Sequence, residues 1–240
     1  MSLLELQGVE KRYREGDLER LALRDIDLSI DTGELAVVWG MRGSGRSMLL
    51  RVAAGVESPD AGVVRFDGRD LAKHREQLLG AGIGYCQKTL PCNGSQSVLD
   101  LVMVSLLARG ISSADARSRA GQALDRAGAV QLASLRLPAL DVAETVRVAL
   151  ARVLALSPRL LVIDDPIGGV DLLARDGVLA LLRQIADDGV AVLASTGESS
   201  ALSGADRTLA LSDGQLRGPP PAELAPVLPL RRASARRAGA

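Results

Sequence analysis

Residues Glu34 to Trp39 form an apolar, strand-like run that ends in Gly40; the next residues, Met41, Arg42, Gly43, Ser44, Gly45, Arg46 and Ser47, lead straight into the apolar helical run "SMLLRVAAGV". This order of strand, glycine loop and helix constrains the chain more than any other feature. Glycines let backbone N–H groups close around phosphate oxygens, the helix N-terminus adds positive potential, and a serine hydroxyl at the end of the loop is a ligand for Mg2+. Arg46 stands where such a loop usually carries lysine. It keeps the charge but exchanges a compact ammonium for a planar fork on a longer stem. The loop, with Met48 opening the helix behind it, predicts a site for a nucleotide phosphate chain.

The rest of the chain supplies an α/β rhythm around this loop. "LLELQGVEKRY", "RDIDLSI", "GVVRFDG" and "GIGYCQ" read as short strands of period two or of buried character. From Ser97 to about residue 140 the texture turns helical, with apolar residues three and four apart in "SVLDLVMVSLLARG" and "ADARSRAGQALDRAGA". A helix, "AETVRVALARVLAL", a buried strand, "RLLVIDD", a second helix, "DGVLALLRQIADDG", and a second buried strand, "VAVLAST", follow. Such alternation predicts a mainly parallel sheet flanked by helices, beside an antiparallel β portion and a helical subdomain over about 97–140. "RTLALSDGQL" reads as a final strand pair. Residues 218–240, rich in proline and arginine, read as a flexible tail.

Bulk composition excludes several classes. Basic and acidic side chains balance at 29 each, so no general attraction to nucleic acid is implied. No uncharged apolar run approaches the roughly 18 residues needed to span a bilayer. Cys86 and Cys92 are the only cysteines and read as free thiols of a reducing cytosol. His74, the only histidine, reads as a surface residue.

In motif order the chain resembles the nucleotide-binding domain of ABC transporters over about residues 3 to 217, a P-loop NTPase fold, with residues 1–217 as the domain. Within that family it is most similar to the lipoprotein-releasing and macrolide-export type, through the block "LRDIDLSIDTGELAVVWG". The resemblance implies ATP and Mg2+ as ligands, with Gly40 to Met48 around the phosphates and Tyr13 stacked on adenine. It implies that Gln87 contacts Mg2+ and the attacking water, and that "KTLPCNGSQSVLDLVMV" meets a membrane permease. It places Asp164, in "RLLVIDDP", with Ser47 at the metal, Asp165 at the position that polarises water, and Asp171 at the end of the dimer-facing loop "IGGVD". It also implies a homodimer or heterodimer of such domains, cytoplasmic and peripheral on the inner face of the cell membrane.

Three departures bear on hydrolysis. Asp165 replaces the family's glutamate, and losing one methylene retracts the carboxylate by about 1 Å, a misplacement that can cost about 100-fold in rate. Gly197 replaces the switch histidine that touches the γ-phosphate. Aligned through the downstream helix, Leu140, Asp141, Val142, Ala143 and Glu144 stand over the signature LSGGQ. There Val142 and Ala143 add Cβ atoms where backbone must approach phosphate, and Asp141 brings a carboxylate. At about 4 Å and an effective dielectric near 20, each like-charged pair costs on the order of 4 kcal/mol. Expectation therefore divides between an ATP-binding transporter subunit with slow hydrolysis and a hydrolysis-deficient partner of the same architecture, with a soluble P-loop ATPase outside transport as the remote alternative.

Overall fold

The runs Leu35–Trp39 (β3), Leu160–Asp164 (β7) and Ala191–Thr196 (β8) are almost entirely apolar, so they can be covered on both faces, and they lie in the order β3-β8-β7 within a parallel sheet. The computed structural model describes residues 2–16, 18–74, 82–87, 90, 96–198 and 204–218. Ile83–Cys86 (β6) pairs in parallel with β7, and Arg207–Ser212 (β9) pairs in parallel with β3. Gln215–Arg217 (β10) closes that edge antiparallel to β9. A second, antiparallel sheet has the order β2-β1-β4-β5, built from Ser2–Glu15 (β1), Leu18–Asp31 (β2), Ala61–Phe66 (β4) and Arg69–Asp70 (β5). The fold is thus the α/β P-loop arrangement expected, with its antiparallel portion.

Strand alternation divides the interior into two cores. Leu35, Val37, Leu161, Ile163, Val192 and Ala194 face one core, shared with the helices Val98–Leu107 (α2), Ser113–Arg126 (α3), Val142–Leu154 (α4) and Leu172–Asp187 (α5). Ala36, Val38, Leu160, Val162, Ala191 and Leu193 face the other, against the antiparallel sheet and the loop's helix, Arg46–Ala53 (α1). Leu49, Leu50 and Val52 of α1 are fully buried there, which fixes the helix N-terminus at the end of β3. The helical stretch begins where its sequence dictates. Ser97 caps α2 through a box with Asp100, and Ser112 caps α3.

Two elements exceed the sequence reading. The second strand begins at Leu18 rather than near Arg24, because residues of mixed polarity are held by pairing with β1, Tyr13 opposite Arg20. The two-residue β5 carries no hydrophobic period and forms only by pairing with β4. Residues 88, 89 and 91–95 of the stretch after Gln87, Cys92 among them, and the tail from residue 219 lie outside the described residues. No helix among the described residues is long and apolar enough to cross a membrane.

Cys86, a free thiol at the end of β6, is buried, and that burial pushes its pKa up to about 12 against the opposing charge of Arg152. Near neutral pH its thiolate fraction is very small. In a Cys92→Ser variant, a thiol reagent at pH 8 should therefore leave the folded chain unlabelled and modify one thiol per chain after denaturation. Rapid labelling of the folded variant would contradict the buried placement.

Candidate nucleotide site

The glycine loop is held by backbone bonds from two sides, one of them braced in turn by β2. Gly40 N donates to Thr196 O at 3.1 Å, Gly214 N donates to Ser44 O at 3.1 Å, and Arg24 N donates to Gly214 O at 2.8 Å. The first two bonds tie the loop to the end of β8 and to the β9–β10 turn, and the third ties that turn to β2. Gly40 is close-packed, since a Cβ there would stand 2.5 Å from both Leu211 O and Ser44 Oγ. Gly45 is the N-cap of α1, with φ 104, and no side chain caps the helix. Its first-turn N–H groups therefore take no partner from a capping side chain, which suits them to an anion.

The loop forms one wall of a cavity of about 1210 Å3. Tyr13, 39% exposed on β1, also lines the cavity, with Arg20 and Arg24 of β2 and with Asp165. The structure thus brings Tyr13 to the same space as Met41, Arg42, Gly43, Ser44, Gly45, Arg46, Ser47 and Met48. Arg46 Nη1 is buried and has no hydrogen-bond partner among the described residues.

Beneath the loop, Ser47 Oγ donates to Asp164 Oδ2 at 2.6 Å, and Ser195 Oγ donates to Asp164 Oδ1 at 2.5 Å. Asp164 is 9% exposed, and burial of a carboxylate is tolerable because both oxygens accept a hydroxyl. The β7–β8 register sets Ser195 directly opposite Asp164, and Ser195 Oγ also accepts from Asp165 N at 3.2 Å. Burial first, and then the Asp164 charge, raises the pKa of the Tyr85 phenol on the neighbouring β6. A hydroxyl and a carboxylate at the edge of a phosphate loop are the donor set Mg2+ takes from protein when phosphate oxygens and water complete its shell. Sequence reasoning missed Ser195, and its only signal was the serine near the end of a second buried strand.

Asp165 has φ 53, left-handed backbone that aspartate adopts more readily than most residues. Its carboxylate lies over Gly168, where a Cβ would stand 2.3 Å from Asp165 Oδ2. Gln87 does not reach the large cavity. It lines a separate one of about 100 Å3 with Thr145, Val142, Asp164, Asp165 and Gly168. The two cavities share only the Asp165 wall among the predicted residues.

The residues aligned with the signature form the start of α4. Asp141 is its N-cap, accepting from Glu144 N at 2.8 Å, while Glu144 Oε2 accepts from Asp141 N at 3.0 Å. A Ser-x-x-Gln sequence would make the same box, so Asp141 and Glu144 preserve the cap and add negative charge to its mouth. Val142 is 47% exposed beside it, Ala143 is buried against Ile167, Val170 and Val178, and Leu140 packs at the edge of the helical core. Asp171 caps α5, accepting from Leu173 N at 3.0 Å.

A parallel sheet, a close-packed glycine loop and an aspartate hydrogen-bonded to the loop's serine define a P-loop nucleotide-binding domain. The sequence profile described as ABC transporter matches residues 23–168, and the chain belongs to that family as an ATP-binding subunit. It is 33% identical to the lipoprotein-releasing system ATP-binding protein LolD of Ruegeria sp. over 89% of this chain and 96% of that one. It is also 33% identical to the cell division ATP-binding protein FtsE of Escherichia coli over 90% of this chain and 98% of that one. Against the macrolide export ATP-binding/permease protein MacB of Nitrobacter winogradskyi identity is 32%, over 91% of this chain but only 35% of the larger protein. Among solved structures, the dimeric bacterial ABC transporter cassette MJ0796 superposes with a TM-score of 0.81 and 25% identity, over 89% of this chain and 96% of that one. That cassette has also been solved as a dimer in a post-hydrolysis state bound to ADP and Pi, so nucleotide binding is a property of the shared domain.

Proposed function

We propose that the chain binds Mg-ATP between Tyr13 and the glycine loop, and that it couples this binding to a separate membrane permease while hydrolysing ATP slowly. The observation that supports this most directly is the meeting of Tyr13, the unpartnered Arg46 Nη1 and the hydrogen-bonded Ser47–Asp164 pair around one region of the structure. In this reading the ring of Tyr13 stacks on adenine, the loop N–H groups hold phosphates, and Ser47 and Asp164 would hold the metal. Mg2+, when bound, neutralises charge on the phosphate oxygens. Ser195 holds the Asp164 carboxylate in its orientation. Gln87 joins the site through the small cavity it shares with Asp164 and Asp165, and the stretch after it faces the permease.

A second reading, a hydrolysis-deficient partner that binds nucleotide only to set conformation, draws on the signature segment. There an internal carboxylate occupies the N-cap, and Asp165 lies over Gly168. In either reading two copies, or this chain and a related one, close around the nucleotides at the membrane's inner face.

Steady-state turnover by the purified protein, alone and with its permease, separates the two readings, with Arg46→Ala as the control for contaminating ATPases. Slow turnover that the variant abolishes supports the first; binding without turnover in either setting supports the second. The metal assignment has its own test. Asp164→Asn should weaken ATP binding in Mg2+ by at least the 10- to 100-fold seen when even an outer partner of a metal site is lost. In excess chelator the variant and the wild type should bind ATP alike. An equal loss with and without metal would remove Asp164 from the metal site.

A further inference from the structure

The planar end of Arg46 faces the side-chain position of Gly197. A Cβ built on Gly197 would stand 3.4 Å from both Arg46 Nη1 and Nη2 and 3.8 Å from Cζ, so the guanidinium packs with both terminal nitrogens equally near that point. Nothing in the backbone asks for glycine here, because Gly197 is absent from the residues with positive φ. Its neighbours are fixed: Thr196 O accepts from Gly40 N at 3.1 Å, and Thr196 Oγ1 accepts from Glu198 N at 3.0 Å. Glu198 is paired in turn with Arg175, whose Nε donates to Val170 O at 3.0 Å. The turn is therefore a fixed seat, and what glycine contributes is room.

We propose that Arg46 and Gly197 act as one device, in which the absence of a side chain at 197 seats the guanidinium fork so that it grips the terminal phosphate of ATP with two nitrogens. The inference rests on the nucleotide reading above. A buried guanidinium N–H without a partner is costly, and an oxyanion brought to the loop satisfies it. An ammonium on a lysine stem makes a point contact and has no planar fork. A small residue at 197 and arginine at 46 are thus coupled: a branched side chain at 197 displaces the fork, and lysine at 46 leaves the seat unused. Arg46 touches the phosphate, and Gly197 is a positioning residue.

A double-mutant cycle read by ATP and ADP titration tests this, using wild type, Gly197→Ala, Gly197→Val, Arg46→Lys and Arg46→Lys/Gly197→Val, each checked for folding by thermal melting. Gly197→Ala should change ATP affinity by less than about threefold, since its methyl only reaches contact distance. Gly197→Val should weaken ATP by about tenfold or more, the scale of one lost charge-assisted hydrogen bond, while ADP, which lacks the terminal phosphate, changes far less. Arg46→Lys should lose ATP affinity on the same scale despite keeping the charge, and in that background Gly197→Val should have little further effect. Equal losses from Gly197→Val in both backgrounds, or for ATP and ADP alike, would overturn the device and leave nucleotide binding intact. A wild type that binds neither nucleotide would instead overturn the reading on which the device rests, and the device with it.

Discussion

Gly45→Ala is expected to abolish ATP binding and to lower the stability of the fold by about 2–5 kcal/mol, the sum of a left-handed backbone forced on a residue with a Cβ and of overpacking. Gly45 has φ 104, and its Cβ would stand 2.5 Å from Ala22 O, a backbone atom that cannot rotate away. Ala22 lies within β2 between Leu21 and Leu23, which pair with Arg12 and Lys11 of β1, so strand pairing holds its carbonyl in place. Relief must come from the loop itself, by turning Gly45 and with it the start of α1. For a chain of this size the melting temperature should fall by roughly 2–4 °C for each kcal/mol lost. Gly43→Ala is the control. It shares the positive φ, at 84, but nothing lies within 4 Å of its Cβ, so it carries the dihedral cost without the clash. If Gly45→Ala melts and binds like Gly43→Ala, the contact with Ala22 is not what holds the loop.

What could be read in advance was what depends on near neighbours in sequence. The run from Leu35 to Ala53 announces strand, turn and helix because apolar period and glycine placement are local properties. The onset of helix at Ser97 is legible for the same reason. Features created by register were not legible. Ser195 acquires its place only because β8 lies beside β7 with Asp164 opposite it, and neither strand records the alignment. The start of β2 at Leu18 likewise comes from its pairing with β1, which also sets Arg20 opposite Tyr13 in the cavity lining. Gly197 read as the loss of a donor, yet the fold sets the Arg46 fork against it. Asp141 and Glu144 read as a ruined signature, while their spacing also makes a sound helix cap. A segment can keep its structural pattern after its ligand chemistry has changed, because the cap needs only oxygens at the right spacing whereas phosphate also needs them uncharged.

That distinction fixes the last prediction. The combined changes Asp165→Glu, Asp141→Ser, Val142→Gly, Ala143→Gly and Glu144→Gln should raise Mg-ATP turnover by about 100-fold or more, the scale attached to a misplaced reacting group. The fold should survive them. Serine and glutamine rebuild the cap that Asp141 and Glu144 make, and Val142 is largely outside the core. Ala143 packs against Ile167, Val170 and Val178, so its methyl and the two glycines together cost about 2–3 kcal/mol, inside the 5–15 kcal/mol usual for a domain. Neither half should suffice alone, because groups that act together in one transition state are not additive. Asp165→Glu extends a carboxylate toward a phosphate that the opposing helix still repels, and the signature changes admit the phosphate to a site whose Asp165 carboxylate is one methylene short. Measured turnover that rises as fully with one half as with both would mean that a single departure limits the rate. A combined variant that binds ATP like wild type and still does not turn over would place the limit at Arg46 and Gly197, whose joint grip on the terminal phosphate is the remaining departure at the site.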